Sequence, residues 1–106
     1  MIIFSIALRL KSNLMIEDIF KRAVKSVSDS VGCNRKQLLS SSRKFSDVEA
    51  RDLLYYVCYS NLLKLKHIQK CMEDYNCETS LSTISRGVNK VESNRDLRSI
   101  AKSIKI

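Results

Sequence analysis

Between Ser80 and Lys90 the chain reads Ser-Leu-Ser-Thr-Ile-Ser-Arg-Gly-Val-Asn-Lys, gathering small hydroxyl side chains and two cations on one short stretch. Leu81, Ile84, Val88 and Val91 recur at spacings of 3, 4 and 3, the signature of a helix that buries one face. Ser80 is a natural N-cap for it, and Ser82, Thr83, Arg86, Asn89 and Lys90 fall on the opposite side. The free N–H groups of a helix start attract phosphate, serine and threonine hydroxyls donate to phosphates or base edges, and an arginine can grip guanine with two bonds. A second cationic feature is the run Ser40-Ser-Ser-Arg-Lys-Phe45, read as a polar loop from which Arg43 and Lys44 project.

The overall charge points the same way. The 106 residues carry 19 Lys and Arg against 11 Asp and Glu, a net charge of +8 with a pI near 9.5. A polyanionic partner follows from that balance. Apolar content of 44% and charged content of 28% are those of an ordinary globular domain.

Other chemistries find little support. Cys33, Cys58, Cys71 and Cys77 include no CxxC pair, so neither structural zinc nor a thioredoxin-like redox site is expected, and Cys58 and Cys71 read as small core hydrophobes. His67 is the only histidine, sits among lysines and reads as a surface residue, leaving no Cys-His or Ser-His arrangement. With only Gly32 and Gly87, GxxxxGK[ST] cannot be written. The expectation is a non-enzyme without cofactor, metal or small-molecule substrate. Tyr55, Tyr56 and Tyr59 could stack on single strands but are assigned to helix packing. The apolar run 1–8 has neither the basic leader nor the cleavage site of a signal peptide and is too short to span a bilayer, which points to a cytoplasmic protein without membrane contact.

The absence of proline and scarcity of glycine favour helices over a many-stranded sheet. Ile16, Ile19, Phe20, Ala23, Val24, Val27 and Val31 form an apolar stripe that predicts a helix from Met15 to a glycine cap at Gly32, with Lys21, Arg22 and Lys25 outside it. Asn34 caps a short turn with Leu38 and Leu39 inward, and Ser46-Asp-Val-Glu49 has the form of a capping box. The box opens a central buried helix carrying Val48, Leu53, Leu54, Val57, Cys58 and Leu62, running to about Asn61. Further helices are expected over Leu65 to about Asp74, over 80–93, and around Leu97, Ile100, Ala101 and Ile104 after an Asn94 cap. Residues 15–106 thus form one all-α domain of five or six helices containing a helix-turn-helix. Residues 1–14 are an N-terminal extension: a strand, a docking helix, or sequence upstream of a start at Met15.

Residues 16–93 resemble the C-terminal DNA-binding domain of the bacterial replication initiator DnaA. The likeness rests on "NRKQLLSSSRKFSDVEARDLLYYV", on "LKLKHIQKCM" and on "STISRGVNKVE", the last also similar to the related domain of REP-associated transposases. The resemblance implies a minor-groove role for Arg43, a phosphate or base contact for Arg51, and a position for Lys66 near the backbone. Ser80, Leu81 and Ser82 stand where the initiator has Asp-His-Thr, Asp52 where glutamine is usual and Glu49 where a basic residue is frequent, so the DnaA box is not the expected target. The expectation is a sequence-preferring double-stranded DNA binder in replication control or transcription regulation. In it Arg86, Ser82 and Thr83 read bases, Ser80 lies at the helix start, Arg43 and Lys44 clamp the minor groove, and Lys66 and Lys90 hold phosphates. The alternative is a protein-interaction module acting on a replication initiator or another acidic protein.

Overall fold

Ile16 and Ile19 pack against a core that Phe20, Ala23, Val24 and Val27 enter fully, so the three-and-four stripe forms one buried helical face in the computed structural model. The structure describes the backbone of Ile2–Lys105 and the side chains of Met15–Lys105. Six helices follow in order: α1 (Ile2–Val31), α2 (Arg35–Leu38), α3 (Phe45–Ser60), α4 (Leu65–Asp74), α5 (Leu81–Ser93) and α6 (Arg95–Ser103). Among the described residues there is no strand, and no helix is long and apolar enough to cross a membrane. The protein is a small all-α domain. Of the segment set apart as 1–14, residues 2–14 belong to α1 by their backbone, and the packing expected of the segment lies outside the described residues.

Three helices end in the same left-handed way. Gly32, Leu62 and Asn76 have φ of 68°, 72° and 61°, and the amides of Cys33, Leu63 and Cys77 reach back to the carbonyls of Ser28, Cys58 and Met72. This six-to-one bond satisfies carbonyls that the helix leaves open and turns the chain sharply. At the end of α3 it has an unexpected consequence. Leu62, expected in the apolar face of the central helix, is 91% exposed, and Leu63 enters the core in its place.

The capping box is also corrected. The helix begins at Phe45 rather than after Ser46, and its N-cap Lys44 makes no side-chain cap bond. Ser42 takes over the local bonding: its hydroxyl accepts from the Lys44 amide at 3.2 Å and donates to Asp47 Oδ2 at 2.8 Å. The other expected caps are present. Asn34 accepts from the Lys36 amide, Ser80 from Thr83, and Asn94 from Asp96 and Leu97.

The core is built around α3, with Leu53, Leu54, Val57 and Cys58 buried. It packs on α1 and on α5, which do not meet one another among the described residues, so α3 lies between them. Leu38, Ile68, Met72, Ile84 and Val91 close the remaining sides. Tyr55 is buried, Tyr56 packs against the core and Tyr59 is half-exposed. Cys58 and Cys71 are buried free thiols, as apolar spacing implied, and burial pushes the Cys71 thiol up to about 11.

Gly87 sets the distance between α3 and α5. A Cβ there would lie 2.6 Å from Asp52 Oδ1 and 2.9 Å from Tyr55 Cδ2, so any side chain would force Asp52 and Tyr55 to shift, and glycine lets the helices meet as they do.

Candidate nucleic-acid interface

The loop between α2 and α3 carries Arg43 and Lys44, and its serines hold it in one shape. Ser40 Oγ donates to the Gln37 carbonyl at 2.7 Å and accepts from the Ser42 amide at 3.2 Å. Ser42 in turn is fixed to Lys44 and Asp47. Arg51, one turn and a half into α3, reaches back and donates to the carbonyls of Ser40, at 2.6 Å, and of Ser42. The resemblance implied that Arg51 contacts nucleic acid. In the structure its guanidinium braces the loop from beneath, while Arg43 and Lys44 stay exposed.

Two contacts hold this loop against the α4–α5 half of the molecule. At one end the Cys77 thiol donates to the Ser40 carbonyl at 3.5 Å. At the other, the Lys90 ammonium lies 5.6 Å from the centroid of the Phe45 ring, a cation–π contact. Arg43 and Lys44 lie between these anchors. On α5, Ser82, Arg86 and Lys90 are spaced by four and so share one face one turn apart. Since Lys90 on that face meets Phe45, the exposed stripe of α5 and the exposed cations of the loop are neighbours.

The start of α5 is joined to α4 by residues 75–80. Gln69 Nε2 donates to the Thr79 carbonyl at 3.0 Å, tying the connection to α4. The Ser80 hydroxyl is committed to the cap and lies 2.9 Å from Thr83 Oγ1. Ser82 and Arg86 are exposed with no side-chain bond among the described residues, and Lys66 is exposed in the first turn of α4. Leu81, expected in the apolar face, is 44% exposed at the first position of the helix.

Lys90 was expected to hold a phosphate. Its ammonium lies 3.3 Å from Asp52 Oδ2 on α3. Burial pushes the Asp52 carboxyl above its usual range, although Lys90 and Arg51 pull the other way. Asp52 is one of two buried acidic residues; the other, Asp47, accepts from Ser42. The sequence carried signals for both partners in this contact. Asp52 immediately precedes the apolar run Leu53–Cys58, and Gly87 sits mid-helix between Ile84 and Val88, where glycine marks close approach.

Two features oppose a uniformly positive face. Glu73 and Glu78 line a polar cleft with Ser41 and Asn76 beside the connection that precedes α5. His67, expected on the surface, is half-buried, with its Nδ1 enclosed and lacking a partner. Burial, followed by Lys66, Lys64 and Lys70, lowers its pKa and keeps the ring neutral at physiological pH. Among the described residues no group of three or more His, Cys, Asp and Glu could hold a metal ion.

No family model, curated protein or solved structure matches the chain. Its function must be read from the residues of this face.

Proposed function

We propose that this protein binds double-stranded DNA, with the start of α5 in the major groove and the Arg43–Lys44 loop at the adjacent minor groove. The observation that carries the reading is the double anchoring of that loop, Ser40 to Cys77 and Phe45 to Lys90, which puts its cations beside the exposed stripe of α5. Arg86, with Ser82 and Thr83, reads base edges; Lys66 holds a phosphate. A loop already fixed by Ser40, Ser42 and Arg51 loses little conformational freedom on binding, so more of its contact energy appears as affinity. The resemblance to the DnaA C-terminal domain supports the same docking, in a cytoplasmic protein of replication control or transcription regulation with no catalytic role of its own.

Selection from random duplexes tests this reading. An enriched motif is expected, and Arg86→Ala should relax it at one position, at about 1–3 kcal/mol for a lost bidentate contact. Absence of any enriched motif, with no retention of duplex at low salt, would contradict it.

A second reading is favoured by Glu73 and Glu78, whose carboxylates would repel phosphate next to the start of α5. In it the same cations dock an acidic surface of a replication protein. Retention of such a partner with no binding to duplex at low salt would select that reading.

A further inference from the structure

A second cationic surface lies on the other side of α3 from α5. Lys21 and Lys25 on α1 and Arg35 on α2 rim a cleft of about 400 Å³ floored by Val24, Leu39 and Tyr75. No acidic residue lines this cleft; Arg22, also on its rim, is paired with Asp18 at 3.1 Å, while Lys21, Lys25 and Arg35 have no ion-pair partner among the described residues. Its floor is formed differently from the α5 face. Leu39 is only partly covered and Tyr75, stacked on Phe20 with ring centroids 5.8 Å apart, keeps 43% of its surface exposed.

We propose that this cleft binds an acidic peptide segment that carries an apolar anchor side chain. Charge complementarity selects an anion, because three unpaired cations converge on one concavity. The apolar floor then separates the candidate anions. A phosphodiester backbone offers no apolar group to cover Leu39 and the Tyr75 ring, whereas a Phe or Leu flanked by Asp and Glu covers the floor while its carboxylates meet the rim. Since α1 and α5 do not meet among the described residues, the site is separate from the face proposed for DNA and stands whether or not that face binds duplex.

The test uses the full chain and two twelve-residue fluorescent peptides of equal charge, one of Glu and Gly only and one in which Phe and Leu replace the central glycines. Amide shifts are followed by NMR and affinities by anisotropy. The anchored peptide should bind at least about fivefold more tightly than the plain one and shift the amides of Lys25, Arg35, Leu39 and Tyr75. Charge reversal at Lys25→Glu with Arg35→Glu should weaken it by about tenfold, while Arg86→Ala leaves it unchanged. Equal binding of the two peptides, shifts confined to the α5 face, or displacement of the anchored peptide by duplex from wild type and Arg86→Ala alike would overturn the proposal. The exposed sites of both reversals leave the fold intact, which the retained amide spectrum checks.

Discussion

Asp52 and Lys90 meet across the contact between α3 and α5 with 3.3 Å between ammonium and carboxylate, and they meet on unequal terms: the side chain of Asp52 is 10% exposed and that of Lys90 is 44% exposed. Removing the exposed partner strands a buried charge, whereas removing the buried one leaves a lysine that can turn to water. Lys90→Met should therefore destabilise the protein at neutral pH by about 1–3 kcal/mol. Asp52→Asn should be at least as stable as wild type there. Its carboxyl lies above its ordinary value of 3.8 because burial disfavours the charged form, so the folded state holds this proton more tightly than the unfolded chain does. Stability from the site is full below the unfolded value and is lost as pH rises through the folded one. Urea titrations at several pH values should show a flatter profile above about pH 4 for Asp52→Asn. An Asp52→Asn variant less stable than Lys90→Met at pH 7 would contradict this asymmetry.

The same contact disfavours any side chain at Gly87. Alanine would gain about 1 kcal/mol of helix propensity at an exposed interior position. Here its Cβ meets Asp52 and the Tyr55 ring, so Gly87→Ala should destabilise by about 1–3 kcal/mol in denaturant titration. Part of that loss should return in the double variant with Asp52→Ala, because the nearer clash is with the Asp52 carboxylate. Purely additive effects would mean that the backbone approach is set elsewhere.

Arg51 holds the basic loop through two backbone carbonyls. Arg51→Lys keeps the charge but cannot span both acceptors. Hydrogen exchange at Ser42, Arg43 and Lys44 should accelerate in Arg51→Lys while the amides of α4 and α6 are unaffected. Unchanged exchange in the loop would remove Arg51 from its bracing role.

Leu62 occupies a left-handed position that strains any residue with a side chain, and it is almost fully exposed. Leu62→Gly relieves about 1–2 kcal/mol of backbone strain and gives part of it back through the freer unfolded chain. A net gain of about 0.5–1 kcal/mol is expected in thermal or urea unfolding. A loss would mean that the leucine is covered.

Much of this fold is legible in the sequence because its signals are local. The caps at Ser80 and Asn94 bond amides two or three residues away, and α4 and α5 fall where apolar spacing puts them, whereas α1 starts at Ile2 rather than at the Met15 that its stripe implied. The start of α3 is not legible: Ser46 has the capping-box pattern and Ser42 does not, yet Ser42 makes the local bonds, held by Asp47 and by a loop that a guanidinium nine and eleven residues away braces. Periodicity continues through Leu62, but the left-handed cap rotates the chain and hands the core position to Leu63. In the candidate site, the types and spacing of Ser82, Thr83 and Arg86 are visible from sequence. The pairing of Lys90 with Asp52 and its contact with Phe45 are not, since both are made between helices distant along the chain.

The most direct test of the central claim, that the loop and α5 form one DNA-binding face, is the salt dependence of affinity for a random 20-base-pair duplex, measured for wild type and for Arg43→Ala with Arg86→Ala. With Arg43, Lys44, Lys66 and Arg86 each displacing a counterion, wild type should give a log–log slope of about −3 to −4, and the double variant should lose about two units of it. A wild-type slope near zero, or a slope untouched by the double substitution, would contradict the account.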